Sequence, residues 1–118
     1  MHAKSPARSE ARTRPEIRAR FEARARIVKA MAHPTRLFLV DILSRQKTCV
    51  CELTDMVGAD MSTVSKHLAV LKNAGIVEDE KRGALVFYKL RCPCMLKFFD
   101  CVETVLKSNA KEQTRLAR

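Results

Sequence analysis

The segment VCELTDMVGADMSTVSKHLAVLKNAGIV, from Val50 to Val77, constrains the fold more than any other part of the chain. Apolar residues recur at helical spacing over 50–57, and Gly58 follows as a residue able to take the left-handed conformation that closes a helix. A turn, Gly58-Ala59-Asp60-Met61, leads to Ser62, whose hydroxyl suits an N-cap. A second helix is expected over 62–74, with Val64, Leu68 and Leu71 on one face and Gly75 at its end. Two short helices joined by a tight turn, the second polar at its N-terminal end, form the helix-turn-helix pattern.

The flanking sequence fits a mainly helical domain. Three Gly and four Pro in 118 residues leave too few turn-formers for a many-stranded sandwich or barrel. Residues 14–31 read as a helix, with Pro15 in its first turn and Ile17, Phe21, Ala25 and Val28 at helical spacing. A second helix begins at Pro34 and runs over 34–45. Leu37, Leu39, Val40, Ile42 and Leu43 make it apolar over much of its circumference, so it is expected to be central and buried. After Gly75 the period changes. Two short runs, 76–80 and 84–90, split by Lys81-Arg82-Gly83, suggest a β-hairpin, and a hairpin directly after such a helix is a wing. Residues 93–109 return to helical period, with Met95, Leu96, Phe98, Phe99, Val102, Val105 and Leu106 making the segment more apolar than a lone exposed helix should be. Self-association through the first and last helices is the economical expectation. Residues 1–13 are expected to be a disordered basic arm and 110–118 a flexible tail, around a domain spanning 14–109. The expected fold is therefore mainly α with a small β-hairpin, in the order α-α-α-α-β-β-α.

Charge narrows the partners. Lys and Arg number 23 against 13 Asp and Glu, a formal net charge of +10, and residues 1–30 carry nine Lys/Arg against three Glu. Such a chain is attracted to polyanions, of which nucleic acid is the commonest. Ser62, Thr63, Ser65, Lys66 and His67 open the second helix of the motif. Hydroxyls there can donate to phosphates and base edges, Lys66 adds a point charge, and the Thr63 methyl can meet a thymine methyl. The blander reading is an ordinary capped amphipathic helix, with His67 a half-buried polar residue. Lys81 and Arg82, at the hairpin tip, suit the minor groove or the phosphate backbone, or are simply a soluble turn. No apolar run approaches the roughly 20 residues of a membrane span. No apolar leader opens the sequence, so the cytosol is the expected compartment. Ser-His-Asp sets, carboxylate dyads and Gly-rich phosphate loops are all missing, which argues against an enzyme.

Five cysteines complete the inventory: Cys49 and Cys51 flank Val50, Cys92 and Cys94 flank Pro93, and Cys101 lies seven residues further on. A free Cys is often only a small buried hydrophobe. Two C-x-C pairs plus one more suit soft ions. Trivalent arsenic or antimony takes three sulfurs, whereas zinc, cadmium and lead take three or four. An exchangeable disulfide or persulfide is a further possibility, and an architectural nucleic-acid protein with structural zinc a third.

Three stretches carry a resemblance. They are Ala30-Met31-Ala32-His33-Pro34-Thr35-Arg36, Cys49-Val50-Cys51-Glu52-Leu53, and Ser62 through Val77. Over roughly 20–107 the chain resembles the ArsR/SmtB family of winged helix-turn-helix repressors. The resemblance implies a homodimer built from the first and last helices, bound to double-stranded operator DNA with an inverted repeat until an inducer binds. Cys49 and Cys51 match the family's C-V-C metal box. Arsenic sensors with that box often carry a third Cys where this chain has Thr54. Cadmium/lead sensors recruit N-terminal cysteines, and here none precedes Cys49. Zinc sites on the last helix use Asp and His; this one has Asp100 and Glu103 but no His. Cys92, Cys94 and Cys101 are instead similar to another arsenic-sensing branch. A persulfide-sensing branch implies a bridge of the Cys51–Cys101 type. As(III) or Sb(III) is thus the expected inducer, with Cd(II), Pb(II) and Zn(II) as alternatives. Two placements are open for it: Cys92, Cys94 and Cys101 together, or Cys49 and Cys51 with one C-terminal Cys.

Overall fold

The structure is a computed structural model that describes residues 7–117, with side chains from residue 14 onward. Five helices and a small sheet follow one another as α1 (Ala7–Met31), α2 (Pro34–Arg45), β1 (Thr48–Cys49), α3 (Val50–Val57), α4 (Met61–Asn73), β2 (Val77–Arg82), β3 (Leu85–Leu90) and α5 (Met95–Ala117). This is a winged helix-turn-helix fold. The helices expected over 34–45 and 50–57 stand where their periodicity placed them.

Local chemistry sets each boundary. Pro34 opens α2, and the His33 Nδ1 before it accepts the Thr35 N–H at 3.1 Å, a side-chain N-cap. Helix α3 ends at Gly58, which takes φ 76° and returns its N–H to the Thr54 carbonyl. Helix α4 begins one residue earlier than expected. Its N-cap is Asp60, not Ser62, because the Asp60 carboxylate accepts the Thr63 N–H at 3.0 Å and leaves Ser62 inside the first turn. Its C-terminal end is a Schellman turn, with Gly75 N–H on the Lys72 carbonyl and Ile76 N–H on the Leu71 carbonyl. Gly75 needs φ 82°, and a Cβ there would stand 3.2 Å from the Arg91 guanidinium.

The sheet has three strands, in the order β1-β3-β2, all antiparallel. The hairpin pairs Val77 with Leu90 through to Arg82 with Leu85. Strand β1 was not expected, since two residues are too few to show alternation. Its partners, Thr48 to Tyr88 and Cys49 to Phe87, fasten the start of the helix-turn-helix to the wing.

One core lies under these elements. Leu39, Val40 and Leu43 of α2, Leu53 of α3, and Val64, Leu68 and Leu71 of α4 meet Ile76, Val77 and Leu90. Leu68 is wholly excluded from solvent, so Leu68→Ala is expected to destabilise the fold by about 3 kcal/mol in urea unfolding. Val70→Ala, on the exposed side of the same helix, should change stability by less than about 0.5 kcal/mol. Helix α2 is central, as expected, but buried on one face only: Leu37 and Phe38 look outward.

Helices α1 and α5 are longer than their apolar pattern suggested. The arm expected over 1–13 is helical from Ala7, residues 1–6 lying outside the described residues, and the tail expected after 109 is helical to Ala117. Segment 110–117 (AKEQTRLA) is made of good helix formers without Gly or Pro, and Glu112 pairs with Arg115 one turn on. The radius of gyration is 19.4 Å, against roughly 13.5 Å for a compact domain of this length, as long projecting helices require. None of the described helices is long and apolar enough to cross a membrane.

Candidate nucleic-acid interface and thiol pairs

Helix α4 turns Val64, Leu68 and Leu71 into the core and so presents Ser62, Thr63, Ser65 and Lys66 on its exposed side. Helical geometry alone brings these four together at the N-terminal half of the helix, where free N–H groups favour phosphate. Asp60 holds that end in place. Hydrogen bonds from Thr63 keep its carboxyl below the ordinary 3.8, so the stabilisation is present above that pH and is lost as pH falls through the lowered value. Asp60→Ala should therefore lower the melting temperature by a few degrees at pH 7, and the gap to the parent protein should narrow as pH falls through that lowered value; thermal unfolding followed by circular dichroism reads both.

His67 is placed differently from its neighbours. It is half-buried against α2, with its ring centroid 4.4 Å from that of His33 and its Nδ1 3.2 Å from Nη1 of Arg36. Burial first, then the nearby His33 and Arg36, hold its pKa below the ordinary value and so favour the neutral ring. In this structure it packs on the scaffold rather than standing with Ser62, Thr63, Ser65 and Lys66.

On the wing, Lys81 is exposed and makes no ion pair among the described residues. Arg82 is tied back: its Nε donates to Glu80 at 2.9 Å, and its guanidinium carbon lies 5.6 Å from the Phe87 ring centroid. Glu80 also accepts from Lys47 at 2.9 Å, and these two cations, Lys47 foremost, push its carboxyl down to about 2. Both cations of the expected tip end strand β2, and Gly83-Ala84 makes the turn.

All five thiols are free. Cys49 is buried where β1 becomes α3, with its Sγ 2.6 Å from Sγ of the exposed Cys51 and 3.5 Å from Glu52 Oε1. The thiol–thiol hydrogen bond pushes Cys49 up, away from the thiolate. This pair lines a hollow of about 300 Å³ together with Met61 and Ser65 of α4 and Leu85 and Tyr88 of the wing. The neighbouring Cys92 thiol pushes Cys94 up, away from the thiolate. Cys101 is exposed on α5, two turns or roughly 10.5 Å of axial rise beyond Cys94. Among the described residues, no three His, Cys, Asp or Glu side chains gather around one point. The chain therefore carries two C-x-C thiol pairs and a separate thiol, and neither expected three-sulfur set is preassembled within it. Sequence reasoning gave no role to Arg36 or to His33. Pro34 at the first helical position was the available signal for His33 as a cap; nothing in the spacing pointed from residue 36 to residue 67.

Residues 33–79, the stretch holding the helix-turn-helix and the start of the first wing strand, match the profile of a family described as bacterial regulatory protein, arsR family. An uncharacterised HTH-type transcriptional regulator of Methanocaldococcus jannaschii is 40% identical over 70 residues, 58% of this chain and 79% of that one. The chain belongs to the ArsR family. Its members here are DNA-binding transcriptional regulators rather than enzymes. The crystal structure of the transcriptional repressor BigR from Xylella fastidiosa superposes with a TM-score of 0.67 at 31% identity, covering 79% of this chain and 95% of that one. The arsenic resistance transcriptional regulator ArsR1 of Pseudomonas putida is 37% identical over 65 residues, 54% of this chain; the match spans about half (51%) of that protein. Accordingly this ArsR-family chain is a DNA-binding transcriptional repressor.

Proposed function

We propose that two protomers pair through α1 and α5 and hold an inverted-repeat operator until a thiophilic species, As(III) or Sb(III) first among them, is captured by the C-terminal cysteines. The observation that carries this reading is the position of the Cys92–Cys94 pair. It occupies the joint between β3, which ends at Leu90, and α5, which begins at Met95. A ligand that draws these two sulfurs and Cys101 together pulls on the one segment joining the wing to the pairing helix. Three sulfurs suit a trivalent metalloid, and capture displaces the thiol protons. Cys101 has to approach the pair for this, so binding and movement are the same event. The arsenic-related name of the Pseudomonas relative supports the metalloid, and the family supports a cytosolic repressor.

Pairing rests on exposed apolar surface. In one protomer none of α5 is buried, yet Leu96, Phe98, Val102, Val105 and Leu106 stand on it, and α1 exposes Ile17, Phe21 and Val28. A groove of about 790 Å³ runs between α1, α2 and α5, lined by apolar residues such as Val28, Leu37, Phe38, Leu96 and Val102 with Asp41, Arg45, Asp100 and Glu103 among them. A patch of this kind marks an interface. In the dimer, Ser62, Thr63, Ser65 and Lys66 of each α4 would enter successive major grooves about 34 Å apart, with Lys81 and Arg82 against the backbone.

A second reading has its own support: Cys51 and Cys101 are both solvent-exposed, so peroxide or persulfide could reach them and join them as a disulfide or polysulfide bridge. One titration separates the two. The reduced protein, bound to a duplex it has selected from a random pool, is challenged in turn with arsenite, antimonite, Cd(II), Pb(II), Zn(II) and persulfide. Release by arsenite and antimonite at the lowest concentrations supports the metalloid reading. Release by persulfide alone, with mass spectrometry showing Cys51 joined to Cys101, supports the second.

A further inference from the structure

Arg36 is the one side chain, among the described residues, that is hydrogen-bonded to both α1 and α4. From the first turn of α2 its Nε donates to the Ala30 carbonyl at 2.6 Å. That carbonyl lies in the last turn of α1, where a helix leaves its own C=O groups without partners. Its Nη1 lies 3.2 Å from His67 Nδ1 on α4. A guanidinium has only donors, so the imidazole accepts here and carries its proton on Nε2. The His33 ring also lies against His67 and is itself fixed as the cap of α2. No carboxylate pairs with Arg36 among the described residues. Both of its bonds therefore go to neutral acceptors, one on the helix proposed to meet the partner protomer and one on the helix proposed to meet DNA.

We propose that Arg36 is a positioning residue for DNA binding, a strut that fixes the angle of α4 against the end of α1 through His67. The inference rests on the reading of α4 as the DNA-contacting helix and of α1 as part of the pairing surface. Its consequence is that movement of α1 within the dimer is handed to α4 directly. His67 then serves DNA recognition without touching a base. The requirement is geometric, since two acceptors in different directions need the fixed fork of an arginine. Lysine, a single ammonium on a flexible stem, cannot hold both.

The test uses a duplex that the wild-type protein selects from a random-sequence pool, with binding read by fluorescence anisotropy well below each variant's melting temperature. Arg36→Lys and His67→Ala should each weaken binding about tenfold. His67→Gln, whose amide oxygen can accept the same bond, should stay within about threefold of wild type. The double variant Arg36→Lys with His67→Ala should also be only about tenfold weaker, because both changes break one contact. Arg36→Lys and His67→Gln should select the same base sequence as the wild type. Arg36→Lys or His67→Ala within twofold of wild type, or losses that multiply to about a hundredfold in the double variant, would overturn the strut. So would a changed selected sequence for His67→Gln, which would make His67 a base reader. A pool from which the wild type enriches nothing would overturn the DNA-binding reading itself, and the strut with it.

Discussion

Val102→Glu combined with Leu106→Glu is expected to convert the protein to a monomer and to weaken operator binding more than a hundredfold. In the single protomer these side chains are 41% and 54% exposed, so the substitution should leave folding nearly intact. In the pair of protomers both would be covered. Burying an unpaired carboxylate costs several kcal/mol, and the symmetric dimer carries four. Dissociation also separates the two α4 helices. A linked pair of reading heads typically gains 10²–10⁴ in apparent affinity over one, and a monomer forfeits that gain. Sedimentation at micromolar protein, beside circular dichroism at the same concentration, checks the point. A folded monomer that no longer shifts the duplex is the expected result. A double-Glu variant that stays dimeric would mean that this face of α5 is not where the protomers meet.

The second large effect concerns release rather than binding. Cys92→Ser with Cys94→Ser should bind the operator within threefold of the parent protein and should keep it at arsenite concentrations that free the parent completely. The sulfurs lie outside α4 and outside the core, Cys94 being exposed and Cys92 partly so, and serine keeps the shape of the joint. What serine cannot do is form a stable bond to a soft metalloid. Cys101→Ser should raise the arsenite needed for release by tenfold or more, since two sulfurs remain. Cys49→Ser and Cys51→Ser should leave arsenite release unchanged; if they abolish it while the C-terminal variants respond normally, the metalloid site belongs at α3.

The helix-turn-helix was readable because its signals are local. Gly58, Gly75 and the Val64, Leu68, Leu71 stripe each report on a few neighbouring residues, and those elements stand within a residue of expectation. Ser62 and Asp60 show the limit of that method. Both are good caps two residues apart, and only the Thr63 N–H accepted by Asp60 decides between them. Strand β1 exists through its pairing with Tyr88 and Phe87, some 40 residues away, so no window of sequence contained it. The extra turns of α5 over 110–117 come from propensity without an apolar face, which a search for buried stripes does not register. At the site, the exposed side of α4 followed from periodicity alone. His67 falls one step round the same helix, and its turn toward Arg36 depends on where α2 crosses. The cysteines show the same boundary from the other direction. Spacing revealed two pairs and a fifth thiol, whereas the distance from Cys94 to Cys101 along α5 is a property of the helix that separates them.

The most direct measurement is the mass of the protein–duplex complex in solution, by sedimentation or light scattering, before and after arsenite. Two protomers on one selected duplex, giving way to free duplex and arsenic-loaded dimer, is the expected result. A single protomer on the duplex, or a complex that takes up arsenic and stays on DNA, would contradict the coupling of paired recognition helices to sulfur coordination.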